Sequence, residues 1–510
     1  METATVEKEA PKVSTNLERN IAYLNSTLGY GKSFDIVLRR FNVAGKEIAI
    51  YFVNGFVKDE VMALILRNLD ELKRGEVSPN SLKKLFNEHI NHIQAEVVDD
   101  LEKVIDQVLS GPLALLIEGE EQALIIDLRV YPSRAPQEPD LEKVVRGPRD
   151  GFVETVLINT LLIRRRLRDP RLRNEIMQVG TRSKTDVCIS YIEDIANPEL
   201  VKRVKEKLQK VKIDGIPMAE KAIEELIEPG KYGHLFPKVR FTERPDVAVS
   251  HLLEGRILVM VDTSPSVIIT PCTLWDHLQA AEEYRQGPPV GVYIRWVRYI
   301  GILISLFLLP LWFLFAVQPE LLPPALKFIG PNETGRVPLI VQFLLAELAI
   351  DMIRLATIHT PSPLATSTGI IAAILIGDVA ISVGLFNAEV IMYTAIAAVA
   401  SFMIPSYEMS WAVRIVRLFL LLTTAAFRLP GLIIATLLVL AYLVRTKSMG
   451  IPYMWPLIPF NAKEMLAVLV RQPVSVRNTR PAILRPQDVM RQATPEPARK
   501  PENGRKEREK

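Results

Sequence analysis

Three charged residues inside an apolar stretch are the part of this sequence best suited to transport chemistry. Glu347, Asp351 and Arg354 lie in residues 337–358, at spacings of four and three. On a helix, those spacings place all three side chains on one face, opposite a face of Leu, Ile, Ala and Met. A charged side chain at the bilayer centre costs about 2.5–3.5 kcal/mol on insertion scales. This face is therefore expected to meet other helices, another subunit or water.

Three interpretations of this face stay open. It could line a pore or ion path, because ionisable residues inside a membrane are functional candidates by default. It could instead be a self-neutralising cluster, with Glu347 and Asp351 paired with Arg354, that only locks the helices together. The helix could also lie in the membrane interface. Asp378, in a second apolar segment, joins the other three as a candidate for the ion path.

Other residues of the apolar region carry expectations about position and packing. Arg414 and Arg417 are expected near a membrane boundary, where long side chains reach water. Rows of small residues let helix backbones approach closely in lipid, within or between subunits, although the same residues could be ordinary filler. These rows consist of Gly369, Ala373 and Gly377, followed by Ala380 and Gly384.

The segments that carry these residues have the length of membrane spans. Tyr299–Val317 is 19 residues without a charge, and about 20 apolar residues cross the hydrocarbon core. Two further spans are predicted near residues 368–387 and 389–405. The stretch Ile415–Val444 is interrupted only by two arginines and a proline. It predicts either one long tilted span or a broken pair of half-helices.

Basic residues flank the apolar region at both ends. Arg295 and Arg298 precede the first span, Arg445 and Lys447 follow the last, and the chain from Arg471 onward carries 11 Lys and Arg against 5 Asp and Glu. Because positively charged flanks stay on the cytoplasmic side, both termini are expected to be cytoplasmic. An even number of crossings follows, and we predict four.

Residues 1–290 alternate short β-branched strands with amphipathic helices, such as the helix that Asn197 and Pro198 would open. The predicted fold is an α/β soluble N-terminal region of two small mixed α/β subdomains, followed by an α-helical multi-pass membrane bundle. We find no convincing internal repeat. The N-terminus lacks the apolar core of a signal peptide, so the soluble region is expected in the cytoplasm. The predicted divisions are a disordered N-terminus (1–30), a first subdomain (31–140), a second subdomain with a basic linking helix (141–290), a transmembrane domain (291–460) and a basic cytoplasmic tail (461–510).

The sequence contains no GxxxxGK[ST], HExxH or GxSxG motif. His89 and His92 are three apart but lack a carboxylate or thiolate partner at motif spacing. Two cysteines, Cys188 and Cys272, are too few for a disulfide framework or a four-thiolate zinc site. We therefore expect no enzymatic activity, metal or cofactor, and a net charge of +4 gives no reason to expect nucleic acid binding.

The basic segment 164–173 is expected to bind acidic lipid headgroups or a partner, or to be a solvated face.

Long phrases of this sequence resemble the GerA family of spore germination membrane proteins. The resemblance covers nearly the whole chain from about residue 30, in matching order and spacing. The segment WDHLQAAEEYRQGPPVGVYIRWVRYIG (275–301) indicates a branch distinct from the receptor A subunits, and Asp378 stands where receptors usually have Gln or a similar residue. The phrases are EKVVRGPRDGF (142–152), NTLLIRRRLRDPRL (159–172), KTDVCISYIEDIANPELV (184–201), FTERPDVAVSHLLEGRILVMVD (241–262) and SMGIPYMWPLIPF (448–460).

This resemblance implies a role in the germination of dormant bacterial spores, in the inner spore membrane. Family A subunits act with a transporter-like B subunit and a lipoprotein C subunit, and are thought to form an oligomeric, ligand-gated channel that releases monovalent cations. The implied partners are further copies of this chain, B- and C-type subunits or a small membrane partner, and membrane lipid. A non-conducting scaffold that organises other germination proteins is the alternative hypothesis. A solute transporter is a third, without the inverted hydropathy repeat that would favour it.

Overall fold

The computed structural model describes residues 11–72, 81–85, 94–131, 142, 144–230, 234–322, 324, 330, 336–359, 379–473 and 476–491. Two α/β units are followed by a helical region, as the sequence predicts. Several residues that the sequence singles out lie outside the described residues: His89, His92, Gly369, Ala373, Gly377 and Asp378.

The first unit is a five-stranded antiparallel sheet in the order β1-β2-β4-β5-β3. Ile48, Ile50 and Phe52 of β2 face one helical layer, and the intervening Ala49 and Tyr51 face the other. Because both sheet faces are buried, the strands read as continuous apolar runs rather than alternating ones. The strands are β1 (Ile36–Val43), β2 (Lys46–Val53), β3 (Ala95–Val98), β4 (Leu113–Ile117) and β5 (Ala123–Ile126).

The second unit repeats this topology. Its antiparallel sheet has the order β6-β7-β9-β10-β8, which is the order of the first sheet shifted by five strands. The expectation of no internal repeat is therefore wrong at the level of structure, because buried positions in both sheets require only apolar residues and not the same ones. The strands are β6 (Leu172–Val179), β7 (Thr185–Ile192), β8 (Arg240–Thr242), β9 (Ile257–Val261) and β10 (Val267–Thr270).

Helices cover both faces of each sheet. The helix Leu17–Leu28 is capped by the Asn16 side chain and packs in the core of the first unit, so the predicted disordered N-terminus is wrong over this helix. The helices of the first unit are α1 (Leu17–Leu28), α2 (Asp59–Asp70), α3 (Ser81–Lys84) and α4 (Leu101–Ser110). Those of the second unit are α5 (Val156–Arg166), α6 (Pro198–Gln209), α7 (Ala219–Ile227), α8 (Pro245–Leu252), α9 (Leu274–Leu278) and α10 (Ala281–Arg285).

A buried ion pair joins the two units. Arg164 of α5 lies 2.9 Å from Asp35, which precedes β1, and neither side chain is exposed. Asn174 of β6 donates a hydrogen bond to the same carboxylate. Arg173 is also buried and pairs with Glu193 at 2.6 Å. These arginines of the basic segment thus hold the units together, and are not available to lipid headgroups.

The chain after the membrane helices returns to the second unit. Residues Lys447–Ser448 (β11) and Ile451–Pro452 (β12) form a small hairpin whose Met449 and Ile451 enter the core of that unit. The membrane helices precede this hairpin, and helix α16 (Ala462–Leu469) and the 3₁₀ turn Ala482–Leu484 follow it. Arg480 donates to the Leu253 carbonyl at 2.9 Å. Part of the segment predicted as a basic cytoplasmic tail (461–510) therefore packs on the second unit, whereas its cytoplasmic location stays a prediction.

Five helices make up the described membrane region. Pro288–Val317 and Tyr407–Arg445 are long and apolar enough to cross a membrane. The mean hydropathy over an 18-residue window is 2.6 in the first helix and 2.1 in the second. The 21-residue helix Leu339–His359 confirms the helix expected over 337–358, and Ala388–Ser401 lies where the span near 389–405 is predicted. The predicted number of four crossings stays a prediction. The helices are α11 (Pro288–Val317), α12 (Leu339–His359), α13 (Ala380–Ser382), α14 (Ala388–Ser401) and α15 (Tyr407–Arg445).

Helix α15 is a broken pair of half-helices rather than one tilted span. The backbone of Arg428 is left-handed, with φ 56°, and Pro430 follows it. The halves, residues 407–427 and 429–445, are about 30 Å and about 25 Å long at 1.5 Å per residue. Both outer ends lie near the second unit, since Tyr442 contacts the Phe236 ring at 6.0 Å and Tyr407 shares a cleft with Arg240. The chain therefore reverses direction at Arg428.

The reversal brings the two halves of α15 into contact at Gly431. A Cβ atom at Gly431 would lie 2.2 Å from the carbonyl oxygen of Thr423. A side chain cannot be accommodated without moving the backbone. The position therefore requires glycine for close approach rather than for its backbone dihedral angles.

Substitution Gly431→Ala should destabilise the membrane region by about 1–3 kcal/mol, the usual effect of overpacking. Gly287→Ala is the matched control, because no atom lies within 4 Å of the Cβ position there. The melting temperature of the detergent-solubilised full-length protein should fall for Gly431→Ala and stay near the wild-type value for the control. Equal melting temperatures for the two variants would contradict the close contact.

His277 of α9 makes the second unit sensitive to acid. Its side chain is buried, 6.1 Å from the Tyr453 ring, and neither ring nitrogen has a hydrogen-bond partner among the described residues. Burial lowers the pKa of His277 to about 3, against the opposing effect of Asp276. An unfolded histidine titrates near about 6.5, so the unfolded chain binds the proton first and stability is lost as pH falls below that value.

Between pH 7 and pH 5, His277 should reduce the free energy of unfolding by about 2 kcal/mol. His277→Phe keeps a ring and removes the titrating group, so its unfolding should lose that part of the pH dependence. His234→Gln, at an exposed histidine, should retain it. Chemical denaturation of the full-length protein at the two pH values measures the difference, and a pH dependence unchanged in His277→Phe would show that this histidine is not responsible.

Candidate functional site

The charged face of α12 meets two arginines of α15 inside the helical region. The Glu347 carboxylate lies 2.8 Å from Arg417 and 3.3 Å from Arg414, and Asp351 lies 2.8 Å from Arg414. The side chains of Glu347, Arg414 and Arg417 are at most 2% exposed, whereas that of Asp351 is 20% exposed. We call these four residues together with Arg354 the ion cluster.

The ion cluster differs from the pairing that the sequence predicts. Arg414 and Arg417 are buried partners of the carboxylates, so the expectation that their side chains reach water is wrong, whereas their position near a membrane boundary stays a prediction. A guanidinium group at the centre of a bundle can satisfy a carboxylate and a backbone carbonyl together, which snorkelling to water cannot. Arg417 also donates to the Ser305 carbonyl at 2.9 Å and hydroxyl at 3.0 Å, which brings α11 into the same cluster.

Arg354 occupies a different environment from the other two arginines. Its guanidinium carbon lies 4.9 Å from the Trp411 ring and 5.4 Å from the Tyr407 ring, and the group donates to Ser410 at 3.3 Å. Aromatic faces attract a guanidinium group and shield it from lipid. Arg354 is thus held against the start of α15 by aromatic and polar contacts.

Polar groups continue along α12 from the carboxylates to Arg354. The buried Gln342, near the start of α12, lies on another face of the helix, where it accepts a hydrogen bond from the Asn387 backbone at 2.8 Å. From Glu347 to Arg354 the row covers about 10 Å of helix, at 1.5 Å per residue. Beyond Arg354 lies a cleft of about 170 Å³ that Glu142, Arg240 and Thr242 of the second unit also line. A row of polar groups therefore connects this cleft with the buried carboxylates.

A second ion cluster lies where α11 leaves the second unit. Glu283 of α10 is fully buried and pairs with Arg295 at 2.6 Å and with Arg298. Arg295 also donates to the Val468 carbonyl of α16 at 2.9 Å. The basic residues that the sequence marks as a cytoplasmic flank are thus internal contacts that fix the first membrane helix to the second unit.

Sequence reasoning found the acidic half of the ion cluster and missed the basic half. The spacing of the arginines could have indicated the basic half. Arg414 and Arg417 are three residues apart in one apolar helix, and Glu347 and Asp351 are four residues apart in another. Two such faces complement each other in charge.

Gly384 has a positive φ of 73° with no neighbouring atom within 4 Å, so in the described structure it does not act as a helix-packing residue. Within the described residues no group of His, Cys, Asp and Glu is arranged to hold a metal ion.

Comparison with known proteins gives the family of this chain. The model of the Bacillus/Clostridium GerA spore germination protein family matches residues 22–483. This chain belongs to the GerA family. Stage V sporulation protein AF of Bacillus subtilis (strain 168) is 47% identical over 487 residues, 96% of this chain and 99% of that protein. The resemblance to a branch other than the receptor A subunits is thereby confirmed.

Other members of the GerA family are more distant. Spore germination protein KA of Bacillus subtilis (strain 168) is 29% identical over 505 residues, 96% of this chain and 92% of that protein. The N-terminal domain of the A subunit of the Bacillus megaterium spore germinant receptor GerK3 aligns with 51% of this chain and 97% of its own, at 25% identity and a TM-score of 0.41. Together with its apolar helices, family membership identifies this chain as a germination-related membrane protein.

Arg417→Met should destabilise the membrane region by about 3–5 kcal/mol, because the Glu347 carboxylate stays buried with one partner fewer. Adding Glu347→Gln should restore a large part of the loss, since the uncompensated charge is then gone. Arg445→Met, at an exposed arginine of the same helix, should change stability by less than about 0.5 kcal/mol. Unfolding of these three variants and of Glu347→Gln alone in detergent tests this, and strictly additive effects of the two substitutions would argue against a coupled pair.

Proposed function

We propose that this protein forms or regulates an oligomeric path that releases monovalent cations from germinating spores. The polar row on α12, from Glu347 through Asp351 to Arg354, carries the proposal. Buried ionisable groups are retained in membrane helices mainly where they serve transport or signalling. The side chain of Asp351 is the most exposed carboxylate of the row and lies on the side of the cleft at the second unit.

The proposal includes a location and partners. The protein would reside in the inner spore membrane with both termini in the cytoplasm, so that the two α/β units act as a coupling and assembly region. Further copies of the chain, B- and C-type germination proteins or a small membrane protein would complete the path. What supports this is the family membership of the chain and its similarity to sporulation and germination proteins.

A non-conducting scaffold is the second candidate. One observation favours it: Glu347 and Asp351 both have arginine partners within 3.3 Å, so the cluster can stabilise the bundle without carrying ions. In this case the helical region anchors the α/β units, which organise other germination proteins. The two candidates differ in whether removing a charge at constant stability changes ion flux.

Asp351→Asn should slow potassium release several-fold while protein level and oligomeric state stay unchanged, because it removes a charge without changing side-chain size. Leu348→Ala, at a position 55% exposed on the same helix, is the matched control and should release potassium at the wild-type rate. The measurement is potassium efflux from germinating spores and from liposomes that contain the purified protein. Wild-type rates for Asp351→Asn would remove the residue from the path, and liposomes without flux in any assembly state would favour the scaffold.

A further inference from the structure

A cavity between the second unit and the C-terminal segment contains unpaired hydrogen-bond donors. The cavity is about 350 Å³ and is lined by residues of α8, α9 and α10 on one side, and of α16 and residues 471–481 on the other. It lies close to the Glu283 cluster but shares no residue with the ion cluster of α12. Cavities of this size hold small ligands.

Arg471 is the central residue of this cavity. Its side chain is 9% exposed, and one terminal nitrogen donates to the Tyr284 carbonyl at 2.9 Å. The Nε and Nη1 atoms are buried and have no hydrogen-bond partner among the described residues. Leaving a buried charged donor unpaired is costly, typically about 1–3 kcal/mol or more. A ligand that accepts hydrogen bonds would remove that cost.

A second donor points to the same kind of ligand. Trp275 also lines the cavity, and its buried indole Nε1 lacks a partner among the described residues. Indole and guanidinium nitrogens can only donate. Two side chains that line the cavity thus contain buried N–H groups without acceptors, and a ligand that reaches them must supply acceptors.

The charge balance of the cavity favours an anion. Six arginines and four carboxylates line it, which leaves a net charge of +2 with neutral histidine. Three of the four carboxylates have arginine partners: Asp276 pairs with Arg256 at 2.8 Å, Glu254 pairs with Arg477 at 3.1 Å, and Asp246 pairs with Arg285. Burial opposes the ionisation of Glu254, but Arg477 and its other cationic neighbours outweigh it and lower the pKa of this carboxyl well below its usual range. Arg471 instead donates to the Tyr284 carbonyl, which carries no full charge, so part of the excess positive charge remains at Arg471.

We propose that this cavity is a binding site for a small oxyanion, a carboxylate or a phosphate, held by Arg471 and Trp275. A bound anion would connect the C-terminal segment with α9 and α10 of the second unit, and so stabilise the attachment of the soluble units to the membrane helices. A free anion and an anionic lipid headgroup share this phosphate chemistry. The proposal does not depend on ion conduction.

The test is calorimetric titration of the delipidated, detergent-solubilised full-length protein with inorganic phosphate and with succinate, at constant ionic strength set by sodium chloride. Saturable binding is expected for at least one of the two anions. Arg471→Gln should weaken it at least tenfold, whereas Arg182→Gln, at a side chain 83% exposed, should bind like the wild type. Trp275→Phe retains the ring and loses only the donor, so it should weaken binding several-fold even if Arg471→Gln proves unstable.

Phosphatidylglycerol separates the two sources of anion. If a lipid headgroup is the natural ligand, added phosphatidylglycerol should abolish the heat of phosphate binding in the wild type, and Arg471→Gln should copurify with less of this lipid. If a free anion is the ligand, phosphatidylglycerol should leave phosphate binding unchanged. Absence of saturable binding of both anions to the wild type, or equal binding by wild type, Arg471→Gln and Trp275→Phe, would overturn the proposal.

Discussion

The burial of Glu347 between two arginines is the interaction on which the arrangement of the membrane helices depends. An unpaired carboxylate in this position would lose its hydration without compensation. Arg417 supplies that compensation and binds Ser305 as well, so α11, α12 and α15 must converge at one point. Apolar contacts alone discriminate weakly between helix arrangements in lipid, because lipid tails are as apolar as Leu. The charges therefore specify which helices become neighbours.

The soluble units are attached to this bundle by contacts of the same kind. Glu283 holds Arg295 and Arg298 where α11 begins, and the chain after α15 packs into the core of the second unit through Met449 and Leu484. The second unit therefore contains segments from before and after the membrane helices. The first unit has the same strand order but contacts the second unit through the Asp35–Arg164 pair. A displacement of the second unit would consequently move α11 and the second half of α15 together.

Local patterns predicted the elements better than their partners. The Asn197 cap with Pro198 and the helix over 337–358 follow from nearest-neighbour chemistry, and both are observed. The basic partners of Glu347 could not be assigned in the same way, because they lie 67 and 70 residues away and ion pairing depends on tertiary contact. The same reason explains the C-terminal segment: its charged residues resemble a solvated tail, but Arg480 and Leu484 are buried against the second unit. Equivalent topology in the two units was hidden because different apolar residues fill equivalent sheets.

Chemical accessibility of the polar face of α12 tests most directly whether it meets water. The residues for comparison are Asp351, whose side chain is 20% exposed, and the apolar Leu348, which is 55% exposed on the same helix. Single variants Asp351→Cys and Leu348→Cys, in membranes, are treated with a charged thiosulfonate that does not enter lipid; the native Cys188 and Cys272 are buried. A water-filled path predicts reaction at Asp351→Cys and protection at Leu348→Cys. Protection of Asp351→Cys in every assembly state, or equal reaction at both positions, would contradict it.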